Sequence, residues 1–266
     1  MSDSDASAIR KAAEGGHPGW QYRLGQNYYF GWGESRDVSK AVIWWSRAAK
    51  QGFAEAQYVL GVCCSEGDGV DKDLEAAFFW IRSAADQGHA LAQNNMGHCL
   101  SSGEGVAVNL VEAVSWFHKS AAQGVATAQY NLGNCYHDGL GVPVDFTQAF
   151  YWFLKSAESG EAKAQLNVGY GFEKGEGVAQ DKNKAIYWYK KASEMGLAEA
   201  QFNLGARYYT GDGVQVNLVE AYAYMSLAAR SDTDARECML VLIEEMSPQQ
   251  VVAGQKRAKE LLMEMG

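Results

Sequence analysis

Glycine recurs at positions 25, 61, 97, 133, 169 and 205, each 36 residues after the last. Two more glycine columns, 31/67/103/139/175/211 and 33/69/105/141/177/213, keep the same register. A tryptophan column at 44, 80, 116, 152 and 188 is closed by Tyr224. Six copies in phase and without insertion argue against a single globular core. A chain of this kind stacks like units, each burying its apolar face on its neighbours. The repeat therefore outranks the 266-residue length as a guide to domain count.

Residues 126–161 show how one unit is built. Ala128, Leu132 and Tyr136 are spaced i, i+4, i+8 and predict one face of a helix, here called helix A. Gly133 falls in the middle of it, which costs about 1 kcal/mol relative to alanine. That cost is offset if the bare backbone admits a neighbouring helix or a bulky ring such as Trp152. Gly139 and Gly141 then end the helix and turn the chain. The next column reads Asp37, Asp73, Asn109, Asp145, Asp181 and Asn217, residue types that cap helix N-termini. Asn109 with Glu112, Asp145 with Gln148 and Asn217 with Glu220 have the spacing of a reciprocal capping box.

Helix B follows, with Ala149, Trp152, Phe153 and Ser156 at i, i+3, i+4, i+7 and Gly160 just past its end. Gly52, Gly88, Gly124 and Gly196 sit in the same place. Most of the 29 glycines are thus repeat punctuation. Segments such as GEGVAV and GDGVQV are turns between helices, not phosphate loops, since no Lys-Ser/Thr pair follows them.

Composition narrows the function. Apolar residues make up 47% of the chain and the net charge is −9 with both signs interspersed, which favours solubility and disfavours nucleic acid. The compact basic cluster Lys256, Arg257 and Lys259 reads as a solvated helix face. No run approaches the ~20 apolar residues of a membrane span, and the opening MSDSDASAIR lacks the pattern of a signal peptide, so a cytoplasmic protein is expected. Of five cysteines, Cys63, Cys99 and Cys135 share one helix A column. Stacked helices hold equivalent residues about 10 Å apart, too far for a disulfide or one zinc ion. These three, with Cys64 and Cys238, are expected to be reduced, buried packing residues. No metal or cofactor is expected, and the histidines at 17, 89, 98, 118 and 137 form no ligand spacing. His98 or His137 beside Cys99 or Cys135 is the one catalytic arrangement the sequence suggests, and it needs a geometry that spacing does not supply.

The phrases AEAQYVLG (54–61), GDGV (67–70), Asp73 and AFFWIRSAADQG (77–88), with AEAQFNLG (198–205) and GDGV (211–214), resemble the Sel1-like repeat, a relative of the tetratricopeptide repeat. The extra G-x-G turn and the 36-residue period favour Sel1 over the 34-residue tetratricopeptide unit. The resemblance implies an all-α fold: a right-handed α/α superhelical solenoid of about six helix-turn-helix repeats with capping helices at both ends. Secreted, cysteine-rich relatives bridge helix A to helix B with a disulfide. Helix B here carries no cysteine in any copy, so the resemblance is to the reduced, intracellular kind. On this reading residues 1–17 are a disordered start and an N-terminal capping helix, 18–233 the six repeats, and 234–266 the C-terminal capping helices. Ser247 with Gln250, and Pro248 behind it, predict the start of the last helix.

Columns held by one residue type serve packing, and columns that are polar or change between copies can carry recognition. On helix A, Arg23, Val59, Asn95, Asn131, Asn167 and Asn203 share one position. Gln26, Val62, His98, Asn134, Tyr170 and Ala206 follow three residues later, and Phe30, Glu66, Ser102, Asp138, Lys174 and Thr210 four after that, forming one stripe. In tetratricopeptide proteins this face lines the concave groove, and its asparagines hydrogen-bond the backbone of a bound peptide. The resemblance therefore implies a groove lined by Asn95, Asn131, Asn167 and Asn203, with His98, Asn134, Tyr170, Glu66, Asp138 and Lys174 adding specificity. A ladder of asparagines tying adjacent helices together fits the same column. Repeated Lys/Arg of the carboxylate-clamp kind are missing from the stripe.

Trp20, Tyr22, Tyr28, Tyr29, Phe30 and Trp32 make the first repeat unusually aromatic, which suits either an exposed contact or dimer surface or packing under the N-terminal helix. The function expected is a non-catalytic scaffold or adaptor, monomeric or weakly dimeric, that binds a peptide or protein partner. The alternatives are an immunity protein masking a toxin, suited by the acidic balance, or an effector directed at a host cell.

Overall fold

A computed structural model describes residues 3–265. The fold is all-α, and among the described residues there are fifteen helices and no strands. Helices A are α2 (Pro18–Phe30), α4 (Ala54–Glu66), α6 (Ala90–Ser102), α8 (Ala126–Asp138), α10 (Ala162–Lys174) and α12 (Ala198–Thr210). Helices B are α3 (Val38–Lys50), α5 (Leu74–Asp86), α7 (Leu110–Ala122), α9 (Phe146–Glu158), α11 (Lys182–Glu194) and α13 (Leu218–Ala228). α1 (Asp3–Glu14) precedes them, and α14 (Thr233–Glu245) and α15 (Pro248–Glu264) follow. Part of the start expected to be disordered, Met1 and Ser2, lies outside the described residues. The chain divides into two compact units, one running to Ala128 with Leu140–Val142, the other comprising Gln129–Gly139 and the residues from Pro143 on.

The mid-helix glycine sets the approach of helix A to helix B. A Cβ on Gly133 would lie 2.5 Å from the ring of Phe153, and one on Gly97 or Gly169 equally close to Phe117 or Tyr189. Trp45, Ile81 and Met225 fill the same notch at Gly25, Gly61 and Gly205. The residue that uses the notch is therefore one position beyond the tryptophan column, Phe153 and not Trp152. Both positions fall within helix B's apolar stripe, so the periodicity does not separate them. Trp116 and Tyr224 of the tryptophan column are buried, whereas Trp44, Trp80, Trp152 and Trp188 are half-buried.

All six Asp/Asn caps accept a hydrogen bond from the third helical N–H, as from Lys40 to Asp37 and from Gln148 to Asp145. The reciprocal half of the capping box is formed at Ser247 with Gln250, but the repeats use another arrangement. There the N–H of the cap donates to a helix A carbonyl nine residues earlier: Asp145 to Tyr136 at 2.9 Å, Asn109 to Leu100 and Asn217 to Tyr208 at 2.8 Å. With that donor occupied, Glu112 turns instead to the Asn109 side-chain amide, 3.1 Å away.

Between repeats a glutamine does the joining. Gln21, Gln57, Gln93, Gln165 and Gln201 are buried, and each donates to a carbonyl eight residues earlier at the end of the preceding helix, α1 for Gln21 and a helix B for the others, at 3.1–3.4 Å. Gln51, Gln87 and Gln123 donate in turn to the side-chain oxygens of Gln21, Gln57 and Gln93 at 2.7–2.8 Å. The second turn glycine completes the joint. Gly177, at φ +70°, lies so close to the Phe146 carbonyl that a Cβ would collide with it.

In the N-terminal unit the core comprises Ala41, Val42, Trp45, Ala48, Ala56 and Leu60 with their neighbours, and α1 covers its end through Ile9 and Ala13 against Leu24 and Tyr28. Tyr28 thus packs under the first helix, while Trp20, Phe30 and Trp32 are exposed. In the C-terminal unit α13 packs on α14 and α15, with Tyr222 against Gly254.

The cysteines are all free. Cys63, Cys64, Cys99 and Cys135 are buried as expected, but Cys238, on α14, is exposed. Burial pushes the Cys63 thiol up to about 12 and those of Cys99 and Cys135 up to about 11, with Asp68, Glu104 and Asp138 adding to the effect.

Two outcomes follow from this packing. Phe153→Ala should lower stability by about 3–5 kcal/mol, and Gly133→Ala should also destabilise, although alanine's helix propensity alone would add about 1 kcal/mol. Urea unfolding measures both, and a stabilised Gly133→Ala would refute the notch. At about pH 8, a thiol reagent should modify Cys238 rapidly in the native protein and all five cysteines only in denaturant. Comparable native labelling of Cys99 or Cys135 would show that their column opens.

Candidate functional site

The helix A stripe is a partly exposed polar strip laid over buried alanine, leucine and glycine. In the N-terminal unit Asn95 is half-buried, and Glu66 and His98 are exposed. The Asn95 side chain is hydrogen-bonded to the Tyr58 hydroxyl on the preceding helix A. His98 Nδ1 lies 3.9 Å from Glu104, and the His98 carbonyl accepts from Ser101 and Ser102.

In the C-terminal unit Asn131, Asn134, Asn167, Tyr170 and Asn203 are half-buried, and Asp138 and Lys174 are exposed. Asn203 donates to the Tyr170 hydroxyl at 2.9 Å, which itself donates to Glu199 at 3.0 Å. Asn167 lines a recess of about 20 Å³ with His137, Phe150 and Glu176. Asp138 is 2.5 Å from His137 Nδ1, and Lys174 is 3.0 Å from Glu173. Asn95 and Asn203, one in each unit, are thus each paired with a tyrosine of the preceding helix A.

Beneath this strip lies an ion cluster that the sequence reading did not single out. Glu173 accepts from the Tyr189 hydroxyl at 2.6 Å and pairs with Arg207, which also pairs with Asp212; Lys182 joins Asp212 at 2.7 Å. Burial alone would raise the Glu173 carboxyl, but hydrogen bonds from Tyr189, Lys174 and Arg207 hold it below its ordinary value. Burial and the Glu173 acceptor push the Tyr189 phenol well up. The cluster meets the strip through Tyr189, whose ring stands 5.6 Å from that of Tyr170.

A second feature missed from sequence is a cleft of about 250 Å³ in the N-terminal unit, walled by Tyr22, Tyr29, Trp45 and Tyr58 and lined also by Glu66 and Asp68. The aromatic excess of the first repeat was its sequence signal. Its position on the face shared by α2 and α4 was not legible, because Trp45 and Tyr58 belong to different elements.

Chemically the strip offers hydrogen-bond donors, acceptors and scattered charge. Among the described residues no group of three or more His, Cys, Asp and Glu could hold a metal ion, and no helix is long and apolar enough to cross a membrane. The imagined cysteine–histidine pair has its thiols held protonated by burial, the reverse of what a nucleophile requires.

Comparison with known proteins agrees with this architecture. A protective antigen of uropathogenic Escherichia coli with an SLR fold is 34% identical over 99% of this chain, with a TM-score of 0.91. The match covers 57% of that protein, so the present chain spans little more than half of its length. A Sel1 repeat protein from Oxalobacter formigenes is 32% identical, covering 80% of this chain and 85% of its own, with a TM-score of 0.72. A search of curated proteins gives no significant match. The Sel1 repeat itself matches six successive stretches, residues 21–53, 54–89, 90–125, 126–161, 162–197 and 198–232. From the first glycine notch to the last capped turn, the chain belongs to the Sel1 repeat family.

Proposed function

We propose that this chain is a non-catalytic interaction scaffold that binds a peptide or protein segment along the helix A face. In the N-terminal unit the contacts fall to Asn95, His98 and Glu66, and in the C-terminal unit to Asn131, Asn134, Asp138, Asn167, Tyr170, Lys174 and Asn203. The Sel1 fold is typical of protein-interaction scaffolds. The observation that carries the reading is that Asn131 and Asn167 stay half-exposed at one register while the alanine, leucine and glycine columns beside them are buried. An amide both donates and accepts, so a row of them pairs with extended backbone of any sequence. The face is supported by interlocked helices, which keeps the ordering cost of binding low.

The charge balance of −9 favours a basic partner segment. An inhibitor that masks a basic toxin or effector would use the same face and the same balance.

Affinity capture with the wild-type chain and with Asn131→Ala/Asn167→Ala tests the reading. A partner held by the wild type should be lost, by about tenfold or more in affinity, while the thermal midpoint changes little. Loss of stability in the double variant, with partner binding kept in proportion to folded protein, would make the asparagines a structural ladder.

A further inference from the structure

The aromatic cleft carries an inference that rests on the peptide-binding reading and goes beyond it. Where later repeats place asparagine on the strip, the first two place Arg23 and Val59, and one turn on Gln26 and Val62. At about 250 Å³ the cleft is smaller than the ~300–1,000 Å³ of sites for drug-sized ligands. It suits one long side chain.

Its walls are fixed in advance. The Trp45 indole N–H donates to the Tyr22 carbonyl at 3.2 Å, and the ring stands 5.4 Å from that of Tyr29. The Tyr29 hydroxyl is hydrogen-bonded to Asp68. Tyr58 is stacked on His89 at 4.6 Å and tied to Asn95. The Tyr22 hydroxyl accepts from Gln26 at 3.1 Å. With their polar tips engaged, the tyrosines offer the cleft ring surface, whose π faces attract cations.

Both charged side chains lining the cleft, Glu66 and Asp68, are acidic, and Glu66 is exposed. Cations already lie over rings of the first repeat: Arg36 is 5.9 Å over Tyr29, a wall of the cleft, and Arg23 5.7 Å over Trp32, which stacks on the cleft-lining Phe30. A purely apolar occupant would strip water from the two carboxylates without replacing it, an unfavourable exchange. A cationic side chain satisfies rings and carboxylates together.

We propose that the cleft receives a lysine or arginine side chain of the bound segment, the cation lying among Tyr22, Tyr29, Trp45 and Tyr58 with Glu66 and Asp68 as counter-charges.

The test uses the full chain, isotope-labelled, and two blocked pentapeptides, Gly-Gly-Lys-Gly-Gly and its norleucine counterpart. Binding is read by NMR at the Trp45 indole N–H. The lysine peptide should shift that signal and bind at least about fivefold more tightly than the norleucine peptide. Glu66→Gln, a change at an exposed position, and Glu66→Gln/Asp68→Asn should weaken it progressively, and added salt should do the same. Equal or tighter binding of the norleucine peptide would show an apolar pocket and overturn the proposal. Affinity unchanged by both variants, or no shift at Trp45 up to about 10 mM lysine peptide, would overturn it as well. Asn131→Ala/Asn167→Ala should leave this binding intact. A cleft that takes lysine while partner capture survives the asparagine changes would keep the present inference and reject the asparagine face.

Discussion

In each repeat a helix B side chain reaches the backbone of helix A at its middle glycine. Phe153 against Gly133 and Tyr189 against Gly169 occupy space that a Cβ would otherwise fill. The glycine costs helix A about 1 kcal/mol, and burial of the opposing ring returns about 1.5–3 kcal/mol. That contact fixes how near the two helices lie, and the turn must comply. The cap N–H can then reach back to the helix A carbonyl, and Asp or Asn takes over the free N–H groups of helix B.

The second joint, between repeats, is made by polar groups. A buried glutamine that donates to the last turn of the preceding helix B adds a second hydrogen bond to a carbonyl that already accepts from the turn glycine, Gly52 to Ala49 and Gly88 to Ala85. Left without that acceptor, the buried glutamine amide would cost about 1–3 kcal/mol, so the bond specifies the stacking register as well as supporting it. Within each unit the hydrophobic cluster and this polar joint act on the same pair of helices.

Much of this was legible in the sequence, because repetition turns single residues into columns. The 36-residue period, both helices, the Asp/Asn caps and the Ser247–Gln250 box of α15 all follow from spacing. The choice of Phe153 over Trp152 did not, since adjacent positions on one helical stripe differ only in where the partner helix lies. The cap's second bond was hidden for the same reason: its acceptor is set by a turn geometry that the box spacing does not encode. Cys238 was misread because it lies on α14, outside the repeats whose helices A bury the other thiols. At the candidate site the asparagine column was visible, but not its links to Tyr58 and Tyr170, which lie one helix away. The aromatic cleft was signalled by composition alone.

The reach of the glutamine joint has a consequence for how such arrays change. Gln57 and Gln93 each bond a carbonyl eight residues back, and Gly177 meets the helix B just before its own helix A. These recurrent contacts join a repeat to its neighbours and carry no address within the chain. Recombination that inserts or deletes a whole 36-residue unit inside the array rebuilds a joint of the same chemistry, while the loss of a few residues from one turn breaks it. Length can therefore vary in whole steps while the terminal helices stay the same, so the extent of the helix A face is a quantity that gene duplication can tune without redesigning the fold.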